Sequence, residues 1–375
     1  MTKEHPLAGI RVVELARVLA GPWAGQILAD LGAEVIKVEG PAGDETRGWG
    51  PPWIENADGT RDAAYYHATN RGKRSVTADF ATEEGRAKTL ALIADADVVI
   101  ENFKLGGLAK YGLDYASLAA DHPRLVWCSI TGFGQDGPYA PRPGYDFIVQ
   151  AMSGIMDLTG EPEGAPQKIG VAYADIMTGL YSAIGIQAAL LQRERTGKGQ
   201  QVDMALFDVM TGTLANQAMN YLASGTSPTR MGNRHPNVVP YEAFPCSDGW
   251  LIIAVGNDRQ FARLVDLLDL PRREDWATNG GRVEHRAALS DAIAAKTKGY
   301  TRDGLLAALE GANIPGGPIN TVADALEDPQ IAARGMRVTL ERADGVSVEG
   351  IRTPIRFSGA GLRLETPSPV KGQDN

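Results

Sequence analysis

The sequence predicts an α/β fold, a parallel sheet with helices on its faces. Short apolar runs rich in β-branched residues recur up to residue 130. Segments of helical period separate them, and glycine or proline marks the joints. Ile10 to Leu15 is the first strand. Gly21-Pro22 follows, and the fixed φ of proline suits the first turn of a helix. Trp23 to Leu31 carries apolar residues at helical spacing and Gly32 closes the segment. Ala33 to Glu39 (AEVIKVE) is the second strand, so the unit is strand–helix–strand, as in a parallel sheet.

Thr82 to Ala94 reads as a helix, with strands at Asp97 to Glu101 and Arg124 to Ile130. A long apolar helix runs from Gly170 to Arg195. Thr196-Gly197-Lys198-Gly199 ends it, with Arg193 and Arg195 placed where cations favour a helix C-terminus. Gln201 to Leu206 is a further strand. Composition changes at Ser224-Gly225-Thr226-Ser227-Pro228, which reads as a linker. Beyond it lie a strand (Trp250 to Val255) and helices at Gln260 to Leu268, Leu289 to Lys298 and Arg302 to Gly311. Residues 337–365 alternate again, and the Ala343-Asp344-Gly345 turn suggests a hairpin.

The charge balance excludes one class of partner. The chain has 375 residues, with 37 Lys and Arg against 46 Asp and Glu, a net charge of −9. A nucleic-acid binder needs a basic face, so none is expected. Two cysteines, Cys128 and Cys246, stand far apart, which argues against a disulfide framework or a thiolate zinc site and fits a reducing compartment. The N-terminal MTKEHPLAGIRVVEL has no secretory pattern and no run approaches 18 apolar residues. A cytoplasmic protein with no membrane partner is therefore expected.

Gly132-Phe133-Gly134-Gln135-Asp136-Gly137 matches a dinucleotide fingerprint after a strand. Pro138, Pro141 and Pro143 prevent the helix that would hold the pyrophosphate, so a nicotinamide site is not expected. The five histidines are scattered without metal-ligand spacing, and no metal site is expected. Asp175 stands where a loop turns into the long helix. It is either an N-cap or a poorly solvated carboxylate that can act as a nucleophile. Arg71, Lys73 and Arg74 form the densest basic cluster, either a solvated turn or an anion site.

Several segments in order resemble the class III CoA-transferases, also called the CaiB/BaiF family. They are residues 15–53 (LARVLAGPWAGQILADLGAEVIKVEGPAGDETRGWGPPW), NRGKRSV, DVVIENF, SITGFGQDGP, PGYDFIVQAMSGIM, the Asp175 segment and RERTGKGQQVDMALFD. MGNRHPNVVPYEAF and VGNDRQF most resemble the succinyl-CoA:dicarboxylate branch, including glutarate CoA-transferase. The resemblance implies a large Rossmann-like domain built from both chain ends (1–224 and 331–375), a smaller α+β domain (225–330), and an interlocked homodimer. It implies acyl-CoA, such as succinyl-CoA, and a small carboxylic or dicarboxylic acid as substrates. Coenzyme A enters as a substrate rather than as a tightly bound cofactor.

In this family an Asp carboxylate, at the position of Asp175, attacks the donor thioester and carries the CoA as an aspartyl thioester. Tyr145 stands in Pro143-Gly144-Tyr145-Asp146 where the related α-methylacyl-CoA racemases have a His base. A phenol ionises near pH 10 and is a poor base at neutral pH, so the racemase-like isomerase becomes the alternative reading. A non-catalytic CoA-binding protein is another. By resemblance, Leu19 and Ala20 would line the thioester end. Ala78 and Asp79 would border the adenine with Asn102, Phe103 and Lys104, and Lys110 would lie near the CoA phosphates. Arg71 and Lys73 are further candidates for the phosphates. Arg47, beside Trp49, or Arg234 would grip the distal carboxylate of a dicarboxylate. Gly256 and Asn257 remain from a longer glycine-rich substrate loop. Leu19 and Gly40 replace the Gln and Arg of formyl-CoA transferase, so formyl or oxalyl specificity is not implied.

Overall fold

In the computed structural model, which describes residues 4–375, β1 (Arg11–Glu14) leads through α1 (Ala20–Asp30) to β2 (Glu34–Glu39). Then come β3 (Lys73–Thr77), α2 (Glu83–Ala94), β4 (Val98–Glu101) and β5 (Val126–Thr131). α3 (Asp146–Met152), α4 (Tyr173–Thr196), β6 (Gln201–Ala205) and α5 (Leu206–Gly212) follow. The six strands form one parallel sheet in the order β3-β2-β1-β4-β5-β6. The chain moves outward from β1 to β3 and resumes on the other side at β4. The order therefore reverses between β1 and β4, and a crevice opens outside their carboxyl ends, where ligands of such sheets bind.

Both faces of the sheet are covered, which explains the unbroken apolar runs of its strands. Successive residues point to opposite faces. Val12, Val98, Ile100 and Cys128 pack against Leu28 of α1 and Ile186 and Leu190 of α4. Val13, Val99 and Trp127 pack on the other side with Ile93 of α2, Leu113 and Leu118. The hairpin of β10 (Arg337–Glu341) and β11 (Ser347–Ile351) belongs to the same unit, its turn closed by Gly345 at φ 82°.

This unit comprises the chain up to Ile155, residues 168–223 and residues 329–375. Residues 156–167 and 224–328 form a second unit. Its antiparallel sheet has β7 (Tyr241–Cys246), β8 (Gly249–Ala254) and β9 (Gly316–Pro318) in the order β9-β8-β7. Phe244, Leu251 and Ile253 of that sheet meet Leu264, Leu289, Ile293 and Leu305 from α6 (Asp258–Leu267), α7 (Arg286–Thr297) and α8 (Arg302–Gly311).

Some elements depart from the sequence pattern. β3 reads Lys73-Arg74-Ser75-Val76-Thr77 and shows no apolar run, because Lys73 is buried against Glu14. The short excursion 156–167 leaves no compositional mark. β7 carries Pro245 within it, and residues 352–365 form no strand. By length and composition α4 could cross a membrane, contrary to the expectation from apolar runs. Its Ala174, Ile186, Ala189 and Leu190 are instead part of the core against the sheet.

Candidate active site

The loops that leave β1, β4 and β5 surround a cavity of about 180 Å³ at the reversal point of the sheet. Leu19 and Ala20, Asn102, Phe103 and Lys104, and Tyr145, Asp146 and Asp175 all line it. Two glycines make this possible. A Cβ on Gly132 would fall 2.3 Å from the Cα of Gly144, and one on Gly144 would fall 2.1 Å from the Cα of Gly132. Only bare backbone lets the segment before α3 lie against the end of β5 and deliver Tyr145 and Asp146 to the cavity. The glycine-rich run after β5 thus serves backbone contact and not a dinucleotide.

Asp175 is the third residue of α4, not its cap. The N-cap position is Ala172, which has no side chain able to cap. The Asp146 carboxylate takes that role from 28 residues upstream, accepting the N–H of Ala174 at 2.8 Å and that of Asp175 at 3.4 Å. Gln150, fully buried one turn along α3, donates to Asp146 at 2.8 Å and accepts the Ile169 N–H at 2.9 Å. The Asp175 side chain is thereby released toward the cavity. Burial, and then the negative charge of Asp146, push its carboxyl up from 3.8 to about 7. Tyr65 belongs to the same electrostatic neighbourhood. Burial and the charges of Asp175, Asp146 and Asp44 push its phenol up to about 12. Trp49 meets Tyr65 edge-on at 5.2 Å.

Cations stand at the rim. Arg17 pairs with Glu45 at 3.3 Å and lies over Phe103 at 5.2 Å. Arg142 stacks on Tyr139 at 3.9 Å, and Lys104 is exposed. At the start of α1 the Ala20 and Gly21 N–H groups have no side-chain cap, Pro22 carries no N–H, the Trp23 N–H bonds to the Leu19 carbonyl at 2.7 Å, and Leu19 and Ala20 line the cavity wall.

Tyr145, on the cavity wall, is 67% exposed. Other expected residues lie elsewhere. Arg47 is not free to receive a substrate carboxylate. It is buried, bonded to Glu39, Asp62 and the Tyr66 hydroxyl, and that saturation corrects the expectation. Arg71 and Lys73 form neither a solvated turn nor an anion site. Arg71 makes a two-pronged pair with buried Asp30, and Lys73 pairs with Glu14 at 2.8 Å. Ala78 is buried. Asp79 and Ala78 border a separate depression with Pro41, Thr77, Lys371 and Asn375. Lys110 is exposed and sits over the Tyr111 ring at 4.6 Å. In the second unit, Arg234 pairs with Glu242 at 3.2 Å. Asn257 caps α6 through the Gln260 N–H, and the Gly256 N–H goes to the Gln260 side chain.

Asp146, Gln150, Tyr65, Arg17 and Arg142 were not singled out by sequence. One signal existed for the first pair: a long helix that opens without a capping residue needs a cap from elsewhere, and Asp146 and Gln150 are one helical turn apart.

The sequence matches the family model described as CoA-transferase family III over residues 7–375. It is 57% identical to the succinate–glutarate CoA-transferase of Agrobacterium fabrum, over 99% of this chain and 94% of that protein. The succinyl-CoA:glutarate CoA-transferase of Mus musculus is 40% identical over 98% of this chain and 84% of that protein. A crystal structure of a CaiB/BaiF family protein from Brucella suis superposes with a TM-score of 0.89 at 62% identity, covering 99% of this chain and 97% of that one.

Proposed function

The chain is a member of CoA-transferase family III, and from that premise we propose that it moves CoA from succinyl-CoA to a small dicarboxylate such as glutarate, through covalent intermediates on Asp175. The observation that carries the proposal is the Asp175 carboxyl, pushed up to about 7, in a cavity at the switch point of the sheet. A carboxylate well hydrated by water is a poor nucleophile, and an anhydride exposed to water hydrolyses. Partial desolvation answers both demands.

Ionised Asp175 attacks the donor thioester carbonyl, and the C–S bond breaks to release CoA thiolate. The thiolate attacks the Asp175 carbonyl of the mixed anhydride and expels the donor acid as its carboxylate. The acceptor carboxylate then attacks the aspartyl thioester and releases the thiolate again. Attack of the thiolate on the acceptor acyl carbonyl yields the new acyl-CoA and regenerates Asp175. Each addition places negative charge on a carbonyl oxygen, and the N–H groups opening α1 are the donors placed to meet it. Arg17, Lys104 and Arg142 at the rim suit the phosphates of CoA. Arg47, held by Glu39 and Asp62, is no longer a candidate for the distal carboxylate of a dicarboxylate.

A homodimer accords with this reading. The outer face of α4 leaves Leu180, Tyr181, Ile184 and Leu191 exposed, more apolar side chain than a solitary helix face carries. Light scattering on the purified protein measures the oligomeric state.

The activity test is a panel of acyl-CoA donors against mono- and dicarboxylates, read by mass spectrometry. New acyl-CoA in stoichiometric exchange for the free donor acid is the expected result. Deuterium entering the α-carbon of a 2-methylacyl-CoA from deuterated water, with no acceptor present, would favour the isomerase instead.

A further inference from the structure

The turn between β1 and α1 is held in an uncommon conformation. Val18 has φ 69°, a region that a β-branched side chain rarely enters, and such strain persists only where its surroundings over-determine it. Four backbone polar groups of the turn are held by side chains. The Ala16 carbonyl accepts from the Lys37 ammonium at 2.9 Å. Asn102 clamps Arg17 at both ends, accepting its N–H at 2.9 Å and donating to its carbonyl at 2.6 Å. The Val18 N–H is shared between the two Asp44 oxygens at 3.4 and 3.3 Å. Lys37 and Asp44 are themselves joined at 2.9 Å, with side chains 1% and 0% exposed. Glu14 supplies a second carboxylate to Lys37 at 3.1 Å.

A buried ion pair is an expensive way to fix a surface turn, since well-packed apolar residues serve stability as well or better. What the pair adds is position. Directly after Val18, Leu19 and Ala20 begin α1 and line the cavity that also holds Asp175. We propose that Lys37 and Asp44 are positioning residues for the transfer reaction: they lock the Val18 turn so that the N–H groups opening α1 are aimed at the carbonyl oxygen on which charge develops. The proposal rests on the function given above. It assigns neither residue a contact with substrate.

Asp44→Asn keeps an acceptor for Val18 while removing the charge that holds Lys37. Misaimed donors should lower kcat by about 10- to 100-fold and leave the donor KM within about threefold, because charge develops only in the transition state. Adding Val18→Gly to that variant should regain melting temperature by relieving strain, without regaining kcat. A kcat within about twofold of wild type in Asp44→Asn, or one restored by Val18→Gly, would overturn the proposal and leave the pair a structural device. If Asp44→Asn does not fold, Val18→Gly alone decides, since it frees the turn and spares the pair. Its kcat should fall at least about fivefold, and an unchanged kcat would overturn the proposal. Asp175→Ala, run beside them, separates the two failures. Turnover in Asp175→Ala would remove the underlying reading. A dead Asp175→Ala with a fully active Asp44→Asn would remove only the positioning role.

Discussion

Replacing Asp146 by Asn should shift the acid limb of the pH–rate profile without dismantling the site. The Asn side chain still offers an oxygen to the Ala174 N–H, which Asp146 accepts at 2.8 Å, so α4 keeps its cap. The charge disappears. The Asp175 carboxyl stands about three pH units above its ordinary 3.8, burial being the larger cause and Asp146 the other. The share of Asp146 is therefore the smaller one, below half of the rise. Only the ionised carboxylate attacks, so for the wild type kcat/KM should fall below pH 7 and plateau above it. In Asp146→Asn the midpoint of that fall should move down, by less than half of that rise. Near pH 6 the variant's disadvantage should shrink or invert, because more of its Asp175 is ionised. Kinetics over pH 5 to 9 with a saturating acceptor measure this. An acid limb that stays in place would refute the coupling of the two carboxylates, and one that moves up would show the opposite sign.

Asp175→Asn should abolish transfer yet stabilise the protein in alkaline solution. The folded carboxyl holds its proton more tightly than the unfolded one, so its contribution is fully present below about pH 4 and is lost as pH rises through 7. Urea unfolding at pH 8 should favour the variant by about 2 kcal/mol, after allowance for incomplete burial, and the advantage should vanish near pH 4. Gly144→Ala should cost activity by about 100-fold, because its methyl group would meet the Gly132 backbone and displace Tyr145 and Asp146 together. Steady-state kinetics with circular dichroism as a folding control reads that out. Lys73→Met breaks a buried pair with Glu14 and should destabilise by about 3 kcal/mol while the Kd for free CoA by calorimetry stays unchanged.

The sheet was largely legible in the sequence because both its faces are covered, so β1, β2, β4 and β5 declare themselves as continuous β-branched runs. β3 escaped because buried ion pairs replace apolar contacts at Lys73, and period counting treats a lysine as solvent-facing. The same blindness produced the misplacement of Arg47 and Arg71. A cluster of basic residues has the same sequence appearance whether phosphates or buried carboxylates balance it, and here Glu39, Asp62 and Asp30 do so. Asp175 could be found because a carboxylate at a helix start has few roles to play. Its partner Asp146 left only the indirect signal of a helix that opens without a cap of its own, since the two meet through the close approach of Gly132 and Gly144, a contact with no local signature.

Covalent trapping on Asp175 tests the central claim most directly. The enzyme is incubated with its acyl-CoA donor in the absence of acceptor, treated with hydroxylamine and digested, and the peptide containing Asp175 is weighed by mass spectrometry. A hydroxamate on Asp175, formed only when donor is present, is the predicted result. Unmodified Asp175 in an enzyme that keeps exchanging CoA under the same conditions would contradict the account.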